Sequence, residues 1–225
     1  AQKLIDAFWP GPLTLLLPRR ATVPAAVTAG RALVGVRLPT HPVARALITA
    51  AGVPVAAPSA NRFGHTSPTT AQHVLDDLDG RIDLLLDGGP TLCGLESTVI
   101  EVGEQSIILY RHGAISAEEI EAVAGPVDIY KPSQENQNPP ESLPSPGVGI
   151  RHYAPNAAVI PVDVGSGTQA EQQKRWKHAV AEQSATGLRP GVMLPRDWPL
   201  PEVFYGVRYD WGRWQNDREL AQRLF

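Results

Sequence analysis

Short apolar runs alternate with helical patterns of apolar residues along the first half of the chain. Apolar runs that end at Pro, Gly or Asp are typical of buried strands, which this pattern predicts at residues 13–17, 32–38, 53–57, 82–86, 99–102 and 107–110. Apolar positions at helical spacing predict helices at residues 1–8, 42–51, 69–78 and 116–124. Strands that alternate with helices indicate an α/β domain on a twisted, mixed sheet.

Polar residues ahead of three of these helices predict where the helices begin. Ser116 and Glu119 have the spacing of a capping box. Thr40 is expected to cap the second helix. Ser67 is expected to cap the third, because Pro68 would then occupy the first helical position, which proline favours.

The composition changes abruptly after the first domain. Residues 131–149 are dominated by Pro, Ser, Asn, Gln and Glu, which predicts an extended linker. A second α/β pattern follows, with strands expected at 157–162, 191–194 and 203–209 and helices at 169–182 and 217–225. The sequence therefore predicts a first domain at residues 1–128, a linker at 129–156 and an incomplete Rossmann-like α/β domain at 157–225.

Both ends of the chain fall within helical patterns. The pattern at residues 1–8 has no N-cap signal ahead of it, and the last helical pattern runs to Phe225. We therefore expect the protein to continue upstream of residue 1 and the second domain to be truncated.

A polar loop separates the predicted strand at 53–57 from the helix at 69–78. Its polar side chains are Ser59, Asn61, Arg62, His65, Thr66 and Ser67. Hydroxyls and amides between a strand end and a helix N-terminus form a common anion site. The alternative is that these side chains only satisfy the backbone of a turn. Their density directly after a buried strand favours the anion site for the loop as a whole.

The distribution of charge supports an anionic ligand. No Asp or Glu lies between Asp6 and Asp76, whereas six arginines do: Arg19, Arg20, Arg31, Arg37, Arg45 and Arg62. The chain as a whole is slightly acidic, with a formal charge of -3, so this is a local excess. The arginines either face solvent and pair with distant acids, or they share an anionic ligand such as a phosphate or a carboxylate.

The composition indicates a globular protein and excludes several kinds of site and segment. With 43% hydrophobic and 19% charged residues, the chain has the composition of a globular protein. No apolar run approaches the length of a membrane span. The single cysteine, Cys93, excludes an internal disulfide and fits a reducing cytoplasm. No zinc-type spacing of Cys and His is present, although magnesium carried by a nucleotide stays possible.

Five motifs in a fixed order resemble those of the YrdC-type threonylcarbamoyl-AMP synthases. They are Pro10-Gly11-Pro12-Leu13-Thr14, Val36-Arg37-Leu38-Pro39, Pro58-Ser59-Ala60-Asn61, Ser97-Thr98-Val99 and Arg111 with Gly113. The linker ends in Ser145-Pro146-Gly147 and Arg151-His152-Tyr153-Ala154-Pro155, which resembles the longer, two-domain form of the family. The resemblance covers essentially the whole chain and implies a YrdC-like twisted mixed sheet.

The resemblance implies a nucleotidyl transfer. Members of this family join threonine, bicarbonate and ATP into threonylcarbamoyl-adenylate and pyrophosphate. A partner transferase then passes the threonylcarbamoyl group to an adenosine beside the anticodon of certain tRNAs. Magnesium would enter with ATP. Such a reaction needs positioning and charge neutralisation more than a nucleophilic side chain.

The same resemblance assigns binding roles by motif and no catalytic side chain. The residues expected to bind ATP are Leu33, Ser59, Asn61, Ser67, Arg111 and Tyr153. The residues expected to bind threonine are Arg37, Ala57 and Ser97. His41 and His65 are candidates for bases, but loop histidines are more often simply solvated.

The sequence departs from the family in one respect, and two alternative functions stay open. Family members carry an upstream Lys/Arg-rich motif that grips ATP, and this sequence does not include it, so the chain by itself is expected to be a weak or inactive enzyme. The first alternative is a double-stranded RNA or tRNA binding module, although the net acidic charge disfavours it. The second is a related carbamoyltransferase that contains a similar domain.

Overall fold

The computed structural model describes residues 1–103, 105–131, 158–187, 190–202 and 204–223. Within these residues the chain forms two compact units, one with residues 1–91 and 95–131 and the other with residues 92–94 and 158–223. Most of the predicted linker, including Arg151, His152 and Tyr153, lies outside the described residues. In the described part of the chain, no helix is long and apolar enough to cross a membrane.

A five-stranded mixed sheet forms the centre of the first unit. Its strands are β1 (Leu13–Pro18), β2 (Leu33–Val36), β3 (Thr98–Val102), β4 (Ile107–Arg111) and β5 (Val127–Ile129), in the order β2-β1-β3-β4-β5. The pairs β1/β2 and β3/β4 are antiparallel, whereas β1/β3 and β4/β5 are parallel. The prediction of a mixed sheet with helices is confirmed.

Four α-helices accompany the sheet: α1 (Gln2–Phe8), α2 (Pro42–Ala51), α3 (Ala71–Leu78) and α4 (Ala117–Ala124). A short 3-10 helix, Ala25–Thr28, precedes β2. The core lies between the sheet and the pair formed by α1 and α4. Leu4 of α1 and Ile120 of α4 are completely buried there against Leu15 and Ile100 of the sheet. Burying side chains of this size is the main stabilising term for such a layer.

The capping prediction for α4 is confirmed, and the other two are wrong. Ser116 accepts a hydrogen bond from the Glu119 amide, and the Glu119 carboxylate accepts one from the Ser116 amide. α3 begins later than expected, because Thr70 provides the cap in place of Ser67. α2 has His41 at its N-cap without a side-chain hydrogen bond, so Thr40 does not cap it. Several hydroxyls precede α3, and the sequence pattern does not decide which one reaches a free amide.

Two predicted strands do not form. Neither residues 53–57 nor residues 82–86 belong to a strand. Most of their apolar side chains are exposed, with Val53 at 61% and Leu84 at 77% of full accessibility. An apolar run can indicate a strand, but a strand exists only where a partner strand supplies the ladder of hydrogen bonds.

The second unit is a small α/β assembly. It contains α5 (Gln169–Ala185), β6 (Gly191–Leu194), β7 (Val207–Asp210) and α6 (Asp217–Gln222), with β6 and β7 parallel. Its core residues are Trp176, Val180, Val192, Leu194 and Trp198. The predicted strand at 191–194 and the predicted helix at 169–182 are confirmed within a few residues. The predicted helix at 217–225 is confirmed over α6, and its last two residues lie outside the described residues. The predicted strand at 157–162 is wrong over 158–162, where the chain is irregular and exposed, and the predicted strand at 203–209 is shortened to β7.

Candidate functional site

The candidate site lies at one edge of the five-stranded sheet. β1 and β3 run in the same direction, and both β2 and β4 run against them. The starts of β1 and β3 therefore meet the ends of β2 and β4 at the same edge. This topology brings together four of the motifs found in the sequence, which precede β1, follow β2, precede β3 and follow β4.

Arg111 and Ser97 form the centre of this cluster. The Arg111 guanidinium donates from Nε at 3.0 Å and from Nη2 at 2.9 Å to the Ser97 carbonyl, and Nη2 also lies 2.9 Å from the Ser97 hydroxyl. The Ser97 hydroxyl lies 2.8 Å from the Thr14 hydroxyl of β1. Ser97 is 7% exposed, so these bonds hold a buried hydroxyl in one orientation. The structure thus brings a predicted ATP residue and a predicted threonine residue into contact.

Glu96 joins this centre to the polar loop. One of its carboxylate oxygens accepts a hydrogen bond from the Ser67 hydroxyl, and the other lies 3.4 Å from Nη2 of Arg111. The sequence analysis assigns no role to Glu96. No signal in the sequence distinguishes it, because its partners Ser67 and Arg111 are distant in the sequence.

Arg37 lies at the end of β2 beside the same cluster. Its Nε donates to the Gly11 carbonyl at 2.9 Å, and the Gly11 amide donates to the Leu38 carbonyl at 2.8 Å. Desolvation lowers the pKa of the Arg37 guanidinium, while Glu96 raises it and Arg111 lowers it. Because an arginine pKa starts far above neutrality, Arg37 stays charged. Two guanidiniums and one carboxylate leave this edge of the sheet with a local excess of positive charge.

Gly113 allows the chain after β4 to press against the segment that enters β3. A Cβ atom at this position would overlap the backbone of residues 96–98 and would lie 2.5 Å from the carbonyl carbon of Ser97. The next amide, of Ala114, donates to the Glu96 carbonyl at 3.0 Å. Only glycine permits so close an approach of two backbone segments.

The polar loop at residues 59–67 is held by its own side chains. Ser59 donates to the Asn61 side-chain oxygen at 2.5 Å, and the Asn61 amide donates to the carbonyls of His65 and Thr66 at 2.8 and 3.2 Å. These bonds are the turn-satisfying contacts that were considered as the alternative to an anion site. An assignment to phosphate binding therefore requires at least Ser59 to exchange its partner.

Asp77 of α3 clamps the same loop. Its carboxylate accepts a hydrogen bond from the Arg62 amide at 2.5 Å and lies 2.9 Å from Nδ1 of His65. The amide hydrogen bond from Arg62 is the largest influence on the pKa of Asp77 and lowers it; desolvation opposes this effect, and the nearby His65 lowers the pKa further. His65 is thus paired with an acid. The other candidate base, His41, packs its ring against Gly88, where an added Cβ would lie 2.6 Å from Cε1.

Within the described residues, no contact with the Ser97 cluster is recorded for three further predicted site residues, Leu33, Ala57 and Tyr153, and the bonds given above for Ser59 and Asn61 stay within the loop. Leu33 starts β2 and pairs with Pro18, at the end of that strand opposite to Arg37. Ala57 is exposed and lies in the segment that does not form the expected strand. Tyr153 falls outside the described residues. The ligand roles of all nine residues stay predictions.

Two family models together match nearly the entire chain. The Sua5/YciO/YrdC family, described as "Telomere recombination", matches residues 1–113. The family described as "Threonylcarbamoyl-AMP synthase, C-terminal domain" matches residues 115–225.

Relatives of known name agree with these matches. Threonylcarbamoyl-AMP synthase from Pyrococcus abyssi is 40% identical over 91% of this chain and 59% of that protein. The protein of the same name from Bacillus subtilis is 45% identical over 88% of this chain and 54% of that protein. This chain thus spans between about half and three-fifths of the length of the curated relatives that it matches.

A solved structure is similar over the full chain. Sua5 from Pyrococcus abyssi, crystallised in complex with L-threonine, superposes with a TM-score of 0.84 at 36% identity, covering 100% of this chain and 62% of that one. This likeness confirms the predicted YrdC-like α/β fold. The ordered motifs, the two family matches and the shared fold lead to one conclusion: the chain belongs to the Sua5/YrdC family of threonylcarbamoyl-AMP synthases and carries parts of both the YrdC-like domain and the C-terminal domain.

Proposed function

We propose that this chain supplies threonine- and nucleotide-binding parts of an L-threonylcarbamoyladenylate synthase, an enzyme of the nucleotidyltransferase class. The observation that carries the proposal is the cluster of Arg37, Glu96, Ser97 and Arg111 at the sheet edge. It offers cations and oriented hydroxyls to an anionic ligand. This is what a reaction between an amino acid and a polyphosphate requires from its protein.

The proposed reaction proceeds in two steps. The threonine amine and bicarbonate condense to an N-carboxylate with loss of water. An oxygen of that carboxylate then attacks the α-phosphorus of ATP, the bond from the α-phosphorus to the bridging oxygen breaks, and pyrophosphate leaves. Both steps join anionic or polar reactants, so the protein accelerates them by holding the reactants together and by offsetting their charge.

In this proposal the cluster is divided between the two substrates. Arg37 and Ser97, with the backbone at Ala57, bind threonine, whose carboxylate suits the charge and fork geometry of a guanidinium. The ATP side is formed by Leu33, Ser59, Asn61, Ser67, Arg111 and Tyr153. ATP enters as its magnesium complex, since magnesium in such sites is held largely by the substrate phosphates.

The partners of the proposed enzyme follow from its product. A threonylcarbamoyl adenylate is an activated acyl group, so a transferase must accept it and pass it to tRNA. We place this chemistry in the cytoplasm, in keeping with the single Cys93. A direct contact with tRNA or double-stranded RNA is the competing binding function.

The deciding experiment measures pyrophosphate release with ATP, threonine and bicarbonate together and with each one omitted. It is run on the complete gene product and on the 225-residue chain by itself. We expect release from the complete gene product only when all three substrates are present. Pyrophosphate release that does not depend on threonine, or no release from a folded protein, would overturn the proposal. Salt-dependent binding of RNA would then support the alternative of an RNA-binding module.

A further inference from the structure

Glu96 lies between the polar loop and the charged cluster and makes contact with both. Its side chain is 21% exposed, and that of Arg111 is 13% exposed. The two carboxylate oxygens have different partners, because one accepts from the Ser67 hydroxyl and the other faces Nη2 of Arg111. One side chain therefore bridges a loop residue and the guanidinium that holds Ser97.

The direction of the Ser67 hydrogen bond follows from the chemistry of a carboxylate. An ionised carboxylate can only accept hydrogen bonds, so the single hydroxyl proton of Ser67 points at Glu96. In this arrangement Ser67 has to exchange its partner before that proton can reach a phosphate oxygen of ATP. The contact made by Ser67 is one that fastens the loop to the sheet edge.

The charges explain why a carboxylate suits this position. Arg37 and Arg111 are close enough to influence each other electrostatically, and Glu96 acts on Arg37 in the opposite sense. A carboxylate that acts on both guanidiniums offsets their repulsion, while an excess of one positive charge is kept for a ligand. A neutral side chain at position 96 would lose this balance.

We propose that Glu96 is a positioning residue that docks the loop at residues 59–67 onto Arg111 and thereby aligns the two proposed substrate sites. The inference rests on the proposed function for its catalytic consequence, while the docking itself is a property of the fold. Loop docking is coupled to the threonine side because the same Arg111 that faces Glu96 also orients the Ser97 hydroxyl.

The test compares three substitutions in the complete gene product. Glu96→Ala removes both contacts, whereas Glu96→Gln keeps a carbonyl that can accept from Ser67 but loses the charge that faces Arg111. Glu121→Ala is the matched control, because Glu121 is an exposed glutamate on α4. Melting temperature is recorded for each variant, so that a general loss of stability is recognised.

The first measurement is hydrogen exchange of the Arg62 and His65 amides, which are both hydrogen bonded in the docked loop. We expect Glu96→Ala to speed their exchange about tenfold or more, Glu96→Gln to have a smaller effect, and Glu121→Ala to have none. Unchanged exchange in Glu96→Ala overturns the docking. A uniform acceleration throughout the first unit overturns it too, since that result means a general structural role.

The second measurement is the KM for ATP and for threonine in the pyrophosphate assay. Loss of charge-assisted bonds predicts that Glu96→Ala raises both values about tenfold. In the exchange measurement, which is made without substrates, Ser67→Ala added to Glu96→Ala should change nothing further if the two residues act as one unit. Additive effects, or KM values equal to those of Glu121→Ala, contradict the proposal. If the unsubstituted protein releases no pyrophosphate, the proposed function fails, and the exchange experiment alone decides the docking.

Discussion

At the scale of single residues, close backbone contacts position the candidate site as much as charged groups do. Arg111 reaches the Ser97 carbonyl with two of its nitrogens because the chain after β4 turns tightly against the entry to β3. Gly113 makes that turn possible, since any Cβ there would meet the backbone of residues 96–98. The orientation of two predicted ligand residues thus depends on a residue that has no side chain.

Gly113→Ala should displace the Arg111 turn and weaken the fold. Overpacking against backbone atoms costs about 1–3 kcal/mol, and we expect a loss in the free energy of unfolding in this range or above it. The measurement is denaturant unfolding, together with the pyrophosphate assay.

Gly80→Ala is the control for this substitution, because its Cβ would meet no atom within 4 Å. Gly80→Ala should lower the free energy of unfolding by only about 1 kcal/mol, because the alanine has to adopt a left-handed backbone with a φ of 70°. Gly113 does not have a left-handed backbone, so a loss at position 113 no larger than the loss at position 80 would contradict the close contact.

At the scale of elements, the loop at residues 59–67 is fastened by acidic residues on two other segments. Asp77 belongs to α3 and holds the Arg62 amide and His65, whereas Glu96 belongs to the segment before β3 and holds Ser67. α3 buries none of its own side chains completely, so hydrogen bonds to the loop are a substantial part of what orders this region. The loop therefore depends on the ionisation of its acids.

Acid should loosen the loop through Asp77. Its pKa in the folded protein lies below the ordinary aspartate value of 3.8, so its stabilising effect is fully present above pH 3.8 and is lost as the pH falls below that value. We expect the Arg62 amide resonance to titrate in this acid range by NMR. In Asp77→Asn, which keeps an acceptor but cannot ionise, the titration should disappear. Its persistence in that variant would assign the effect to another acid.

At the scale of the whole molecule, the described chain contains two units with separate cores. The first core is aliphatic and joins the five-stranded sheet to α1 and α4. The second is built around Trp176 and Trp198 together with β6. The boundary between the two family matches, at residues 113 and 115, lies inside the first unit, so the second match also covers α4 and β5. Because each unit buries its own apolar residues, a core substitution should act on its own unit first.

Leu194→Ala should destabilise the second unit. Leu194 is 1% exposed, and replacing a fully buried leucine by alanine costs about 2–5 kcal/mol through lost burial and a cavity. Met193, the preceding residue on β6, is 45% exposed, so Met193→Ala is the matched control and should cost far less. Calorimetry with tryptophan fluorescence measures the change, and similar losses in both variants would contradict the described register of β6.

Much of the fold could be predicted from the sequence because the relevant signals are local. Apolar runs bounded by turn residues located β1, β3 and β4 within a residue or two, and the capping box at Ser116 and Glu119 located the start of α4. The same signals were wrong at residues 53–57 and 82–86. There the side chains are suited to a strand, but pairing depends on a partner that an apolar run does not reveal.

The sequence by itself determined the order of the motifs, the local excess of arginine and, through them, the family of the chain. Only the tertiary structure decided which of these residues meet. The alternation of strand directions gathers Arg37, Ser97 and Arg111 at one sheet edge, and it adds Glu96, which no local pattern distinguishes from a surface glutamate. Contacts between residues far apart in sequence depend on strand pairing and register, and these are properties of the folded chain as a whole.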